Sequence, residues 1–159
     1  MPEWLDDGQQ RDWRAFIENA IRLIELLDQE LRDGHRLTLA EYEILVRLSE
    51  APALCMRMAE LADVSYYSRS RLSHSVGRLE SRGLVTRGKS PDDRRGVIAR
   101  LTEQGLDVLR RAAPDNLRCV RDYFVDVVEP ADLAAVGRAF RSVAARLDRP
   151  RSSPDDAAM

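Results

Sequence analysis

The side chains with the most chemistry to offer in this 159-residue chain lie between positions 65 and 100. That stretch carries nine basic residues (Arg69, Arg71, Arg78, Arg82, Arg87, Lys89, Arg94, Arg95 and Arg100) against three acidic ones (Glu80, Asp92 and Asp93), a balance of +6. The rest of the chain carries −8, and the whole −2. A basic block inside an otherwise acidic protein is the electrostatic footprint of a surface that docks on phosphate. Ser70, Ser73 and His74 are interleaved with the arginines. Arginine can bridge the O6 and N7 atoms of guanine, and serine and histidine can reach bases or phosphates, so recognition of duplex nucleic acid is the chemistry this set suits. Bond-breaking chemistry finds no such support. Cys55, Cys119, His35 and His74 have no paired spacing that could build a tetrahedral metal site. No nucleophile elbow, phosphate loop or HExxH motif is present. Neither an enzyme nor a cofactor is expected, and the two cysteines are expected to pack as small apolar side chains.

The elements that must position these residues follow from hydrophobic period. Residues 9–33 read as a long amphipathic helix with Trp13, Phe16, Ile17, Ala20, Ile21, Ile24, Leu27 and Leu31 on one face, ended by Gly34. Thr38-Leu39-Ala40-Glu41 fits a capping box that opens a second helix, and Pro52 stops it. After a short extended piece near Leu54 to Met56, residues 57–63 form a short helix. Residues 68–82 form the next, capped by Ser68 and ended by Gly83. The apolar side of this last helix is sparse (Leu72, Val76, Leu79), which leaves Arg69, Ser70, Arg71, Ser73, His74, Gly77 and Arg78 facing outward. The period then changes. Residues 84–87 and 97–101 read as two strands joined by Ser90-Pro91-Asp92-Asp93-Arg94-Arg95-Gly96, a hairpin whose tip carries adjacent arginines suited to a narrow minor groove. From Thr102 a long helix runs to about Val128, with Pro114 expected to kink it. A last helix begins at Pro130 and buries Leu133, Val136, Phe140, Val143 and Leu147.

Two short helices followed by a β-hairpin predict a mainly α fold with a small β-wing (α+β). It is a winged helix-turn-helix lobe at 37–102, flanked by dimerisation helices at 1–36 and 103–148, with a disordered tail at 149–159. The flanking helices carry more apolar stripe than a lobe of roughly 65 residues could cover, which points to a homodimer. MPEWLDDGQQ lacks the basic start and apolar centre of a secretory signal, and no apolar run approaches the roughly 20 residues that cross a bilayer. A cytoplasmic protein is the expectation.

Asp93-Arg94-Arg95-Gly96-Val97-Ile98-Ala99-Arg100-Leu101-Thr102, with Glu103 and Gly105 after it, resembles the wing signature of the MarR family of bacterial regulators. Arg78-Leu79-Glu80 with Gly83-Leu84-Val85 is similar to the end of that family's recognition helix, and Met58-Ala59-Glu60-Leu61-Ala62 to the helix before it. The resemblance spans roughly residues 9 to 148. It implies a homodimer that binds pseudo-palindromic double-stranded DNA, commonly as a repressor released by a small aromatic or phenolic effector. Carried over by position, Arg95 is the candidate for minor-groove insertion with Asp93 holding its guanidinium, and Arg94 stands beside it. Arg69, Ser70, Arg71, Ser73, His74 and Arg78 are the candidates for the major groove and its phosphates. An effector pocket would lie between the dimerisation helices and the lobe, near Trp13, Phe16, His35, Tyr42, Tyr66 and Tyr67. The competing expectation is a winged-helix protein-interaction module that does not read DNA.

Overall fold

The computed structural model describes residues 4–65, 67–89 and 96–148. The chain divides into two compact units, Met1–Cys119 and Val120–Met159. In the first, helix α1 (Asp7–His35) opens at Asp6, whose carboxylate accepts from the Gln9 N–H while the Gln9 side chain accepts from the Asp6 N–H. The helix passes through Gly34 rather than stopping there. Its left-handed closing residue is Arg36 (φ 55°), where the Arg36 N–H reaches the Arg32 carbonyl and the Leu37 N–H the Leu31 carbonyl. Those two bonds satisfy the last carbonyls and bury Leu37, which outweighs the strain of a left-handed arginine. Helix α2 (Leu39–Glu50) begins with the expected capping box: Thr38 Oγ1 accepts from the Glu41 N–H, and Glu41 Oε2 from the Thr38 N–H.

A 3₁₀ turn (Pro52–Leu54) leads into strand β1 (Cys55–Arg57), helix α3 (Met58–Val64) and helix α4 (Arg69–Ser81). Strands β2 (Val85–Lys89) and β3 (Val97–Leu101) form the hairpin, with Val85 opposite Leu101 and Lys89 opposite Val97. The sheet has three strands rather than the two expected. β1 pairs antiparallel with β3, Cys55 opposite Arg100, so the order is β1-β3-β2 and the inner wing strand is held on both edges. Leu45, Leu48, Leu61, Leu72, Val76, Leu79, Val85 and Ala99 make a core between α2, α3, α4 and the sheet. A buried leucine contributes about 2 kcal/mol, so this cluster is what fixes the orientation of α4.

Helix α5 (Glu103–Val120) is pinned at its start. The Thr102 hydroxyl donates to the Gly83 and Leu84 carbonyls (2.8 and 3.0 Å) and accepts from the Gly105 N–H (3.0 Å). A Cβ at Gly105 would lie 2.1 Å from the Leu84 carbonyl oxygen, so only glycine allows this approach. Pro114 sits within α5, and the α-helical pattern first departs at Arg121–Val125, a π-helical turn, not at the proline. That turn belongs to the second unit, where Arg121 pairs with Asp126 (2.7 Å) and helix α6 (Pro130–Leu147) starts on its proline. None of the α6 side chains expected to be buried is buried within the single chain. The Asp93–Arg95 tip, Tyr66 and the segment 149–159 lie outside the described residues.

Candidate nucleic-acid interface

Helix α4 is built to be held from behind and left open in front. Ser68 caps it, its hydroxyl accepting from the Arg71 N–H. Leu72, Ser75, Val76 and Leu79 are buried, while Arg69, Ser70, Arg71, Ser73, His74 and Arg78 are exposed. The structure therefore brings the six described major-groove candidates onto one helix surface.

Two carboxylates, Glu41 of the α2 capping box and Glu80 of α4 itself, also brace this helix, a role that their local sequence does not signal. Glu41, whose side chain is only 4% exposed, accepts from Arg78 Nε at 3.0 Å and has Arg82 Nη1 at 3.9 Å, while still closing its own helix cap. Arg82 also donates to the Arg36 carbonyl (2.8 Å). The start of α2 thereby grips the last turns of α4. Arg78 is 45% exposed, so part of its guanidinium still faces outward. At the same end, Glu80 accepts from the Arg87 backbone N–H (3.1 Å) and its guanidinium, tying α4 to the first wing strand. The Arg87 hydrogen bonds hold the Glu80 carboxyl below the usual carboxylate range. Arg69 lies 3.5 Å from Asp63.

A cleft of about 430 Å³ opens between α1, the start of α2 and α4, with Ile24, Asp28, Arg32, Tyr67, Arg71 and His74 on its walls. Arg71 stacks over the Tyr67 ring at 4.7 Å. Burial and the neighbouring charge of Glu43 push the Tyr67 phenol up to about 12, so it stays a neutral donor. Burial would raise the Asp28 carboxyl, but hydrogen bonds from Arg32 and the Leu39 N–H outweigh it and the group lies below its ordinary value. Of the six aromatic and polar candidates for an effector site, Tyr67 lines this cleft. Trp13 and Phe16 pair with each other instead, ring centroids 5.7 Å apart and half-exposed. His35 Nε2 lies 2.9 Å from Asp115 Oδ2, and Tyr42 is raised by burial and shares a hydrogen bond with Asn116. Among the described residues there is no metal-binding cluster and no helix long and apolar enough to cross a membrane. Cys119 is buried and Cys55 partly so.

A helix with an open basic face, set on a three-helix scaffold and followed by an antiparallel hairpin, defines a winged helix-turn-helix. A family model for the MarR family matches residues 35–96. The solved structure of Sco3205, a MarR family transcriptional regulator from Streptomyces coelicolor in complex with DNA, is 39% identical, covers 96% of each chain and superposes with a TM-score of 0.91. AbsC, a MarR family transcriptional regulator from the same organism, is 40% identical over 92% of this chain and 98% of its own, with a TM-score of 0.87. BpsR of Bordetella bronchiseptica, whose DNA binding is regulated by 6-hydroxynicotinic acid, shares the fold at 19% identity, covering 94% of this chain and 100% of its own with a TM-score of 0.76. A search of curated protein sequences finds no significant match. The chain belongs to the MarR family of transcriptional regulators, which are DNA-binding proteins and not enzymes.

Proposed function

We propose that the protein acts as a homodimeric repressor of a pseudo-palindromic operator, read by the outward face of α4 and released by a small aromatic or phenolic ligand. The observation that carries this reading is the division of α4: an apolar back fixed in the core, carboxylate braces at its C-terminal turns, and an outer face of Arg69, Ser70, Arg71, Ser73 and His74 exposed for contact. The hairpin follows directly, and Arg95, with Asp93 to hold its guanidinium and Arg94 beside it, remains the sequence-based candidate for the minor groove.

Support for the dimer comes from apolar surface. Trp13, Ile21 and Ile24 on α1 are 52%, 49% and 55% exposed, and Val136, Val143 and Leu147 on α6 are 37%, 48% and 77% exposed. Stripes of that length on helices of 29 and 18 residues are covered most simply by a second copy across a two-fold axis. Support for release by an aromatic ligand comes from the α1–α2–α4 cleft. Tyr67 offers a ring, Arg32 and Arg71 offer cationic partners, and His74 belongs to the reading helix itself. The aromatic acid that acts on BpsR has matching chemistry.

The deciding measurement is anisotropy of labelled duplexes, first selected by the protein from random DNA, across a salt series. Affinity should fall with a log–log slope of about −0.9 per neutralised phosphate. Arg71→Ala and Arg95→Ala should weaken binding without dissociating the dimer, and a panel of aromatic acids should contain a member that displaces the duplex. Binding that ignores salt, or no binding to any duplex, would instead favour the protein-interaction module.

A further inference from the structure

Gly77 occupies the interior of α4, where glycine is the least favourable residue after proline because it surrenders most backbone freedom. A glycine in such a place is usually required by a left-handed backbone or by a neighbour too close for a side chain. Neither applies within the described residues. Gly77 is helical, and a Cβ built on it would meet only Arg87 Nη2 at 3.9 Å, an ordinary contact with the far end of a flexible side chain. The fold does not ask for glycine here.

The position on the helix supplies the missing reason. Gly77 follows Ser70 by seven residues, Ser73 by four and His74 by three, and precedes Ser81 by four. At 3.6 residues per turn these share one row, on the side opposite the buried Leu72 and Leu79. Together with Arg78 they border an open depression of about 520 Å³. The row is made of hydroxyls, one imidazole and a bare backbone, so no long side chain holds a partner away. The Gly77 N–H lies within the helix's own ladder and is not aimed outward to bind an anion, so what the bare position offers is space.

We propose that Gly77 is the point of closest approach between α4 and the floor of the major groove. Its missing side chain lets the helix lie along the base edges through its third turn, so that Ser73, His74 and Ser81 read bases together. A helix entering by its N-terminal turn alone would not need it. The inference rests on the reading of α4 as the DNA-facing helix, and the test separates the two.

Gly77→Ala and Gly77→Leu are compared with wild type on duplexes that wild type selects from random DNA, on an unrelated duplex, and in thermal melts without DNA. The alanine variant should melt about 2 to 4 °C higher, since it gains helix propensity and meets no obstacle. It should bind the selected duplex about tenfold or more weakly while holding the unrelated duplex within about twofold, and leucine should be weaker still. Alanine binding the selected duplex within about twofold of wild type overturns the proposal. So does an equal loss on both duplexes, which would place Gly77 against phosphate, or a lower melting temperature, which would make the glycine structural. Should wild type select no duplex at all, the DNA-facing reading of α4 fails first and takes this inference with it.

Discussion

Replacing Arg78 by alanine asks whether this arginine is a strut, a DNA contact or both. Its Nε holds Glu41 at 3.0 Å, and Glu41 is 4% exposed, so among the described residues the carboxylate left behind keeps Arg82 at 3.9 Å, its own cap N–H and the more distant charge of Arg32. Breaking a buried ion pair from one side costs about 3–5 kcal/mol when the stranded charge is fully buried. Arg82 and water admitted through the vacated guanidinium site reduce this, so Arg78→Ala should cost about 2–3 kcal/mol. Glu41→Gln strands only arginines that are 45% and 35% exposed and can rehydrate. It should cost about 1 kcal/mol, mostly as the loss of a charged hydrogen bond. In a chain of this size each kcal/mol moves the midpoint by about 2–4 °C, so the alanine variant should melt about 4–12 °C low and the glutamine variant clearly less. The double variant should cost less than the two singles summed, because the buried charge is gone. Circular dichroism melts at fixed protein concentration without DNA provide the readout. An Arg78→Ala protein that melts within about 2 °C of wild type while losing DNA affinity would refute the strut and leave Arg78 as a plain DNA contact.

Gly105→Ala would put a methyl 2.1 Å from the Leu84 carbonyl, forcing α5 off the hairpin; a loss of about 3 kcal/mol or more, read by urea unfolding, is expected. Ala53 sits in the left-handed region (φ 53°), so Ala53→Gly should stabilise by about 0.5–1 kcal/mol and raise the melting temperature, whereas a fall would mean that this strain is absent in solution. Asp28, Glu80 and Asp115 all have carboxyls held below their ordinary values: Asp28 by bonds from Arg32 and Leu39 that overcome burial, Glu80 by Arg87, and Asp115 by His35 and Arg118. Their folded affinity for protons is lower than the unfolded, so the stability they add is complete above the unfolded values near about 4 and drains as pH falls through the folded ones. Urea midpoints should therefore drop steeply below about pH 4, less so in Glu80→Gln; a flat midpoint across that range would contradict the assignment.

Much of this fold was legible because it is written in local signals. Thr38 with Glu41, Ser68 before α4 and Pro130 at the start of α6 each act within one helical turn, and all three hold. The division of α4 into a buried and an open side also followed from period alone, and the exposed row matches it. What escaped depends on distance. Glu41 and Arg78 are 37 residues apart, and nothing in either segment marks them as partners until the core has placed α2 across α4. The third strand escaped for the same reason, since Cys55–Arg57 is too short to signal pairing until β3 is beside it. Gly34 misled because glycine commonly closes helices, yet the closure fell to Arg36, two residues later, where Leu37 could enter the core. The π turn at Arg121–Val125, seven residues beyond Pro114, carries no local signal that the sequence pattern could show.

The division of labour on α4 has an evolutionary consequence. The residues that keep the helix in place are Leu72, Val76, Leu79, Arg78 and Glu80, while the side chains of Ser70, Ser73 and His74 on the outer row make no hydrogen bond or ion pair among the described residues. A gene copy could therefore exchange its outer row, one residue at a time, without passing through an unfolded intermediate. Divergence of regulatory targets would then be limited by what the new operator demands and hardly at all by what the protein can tolerate.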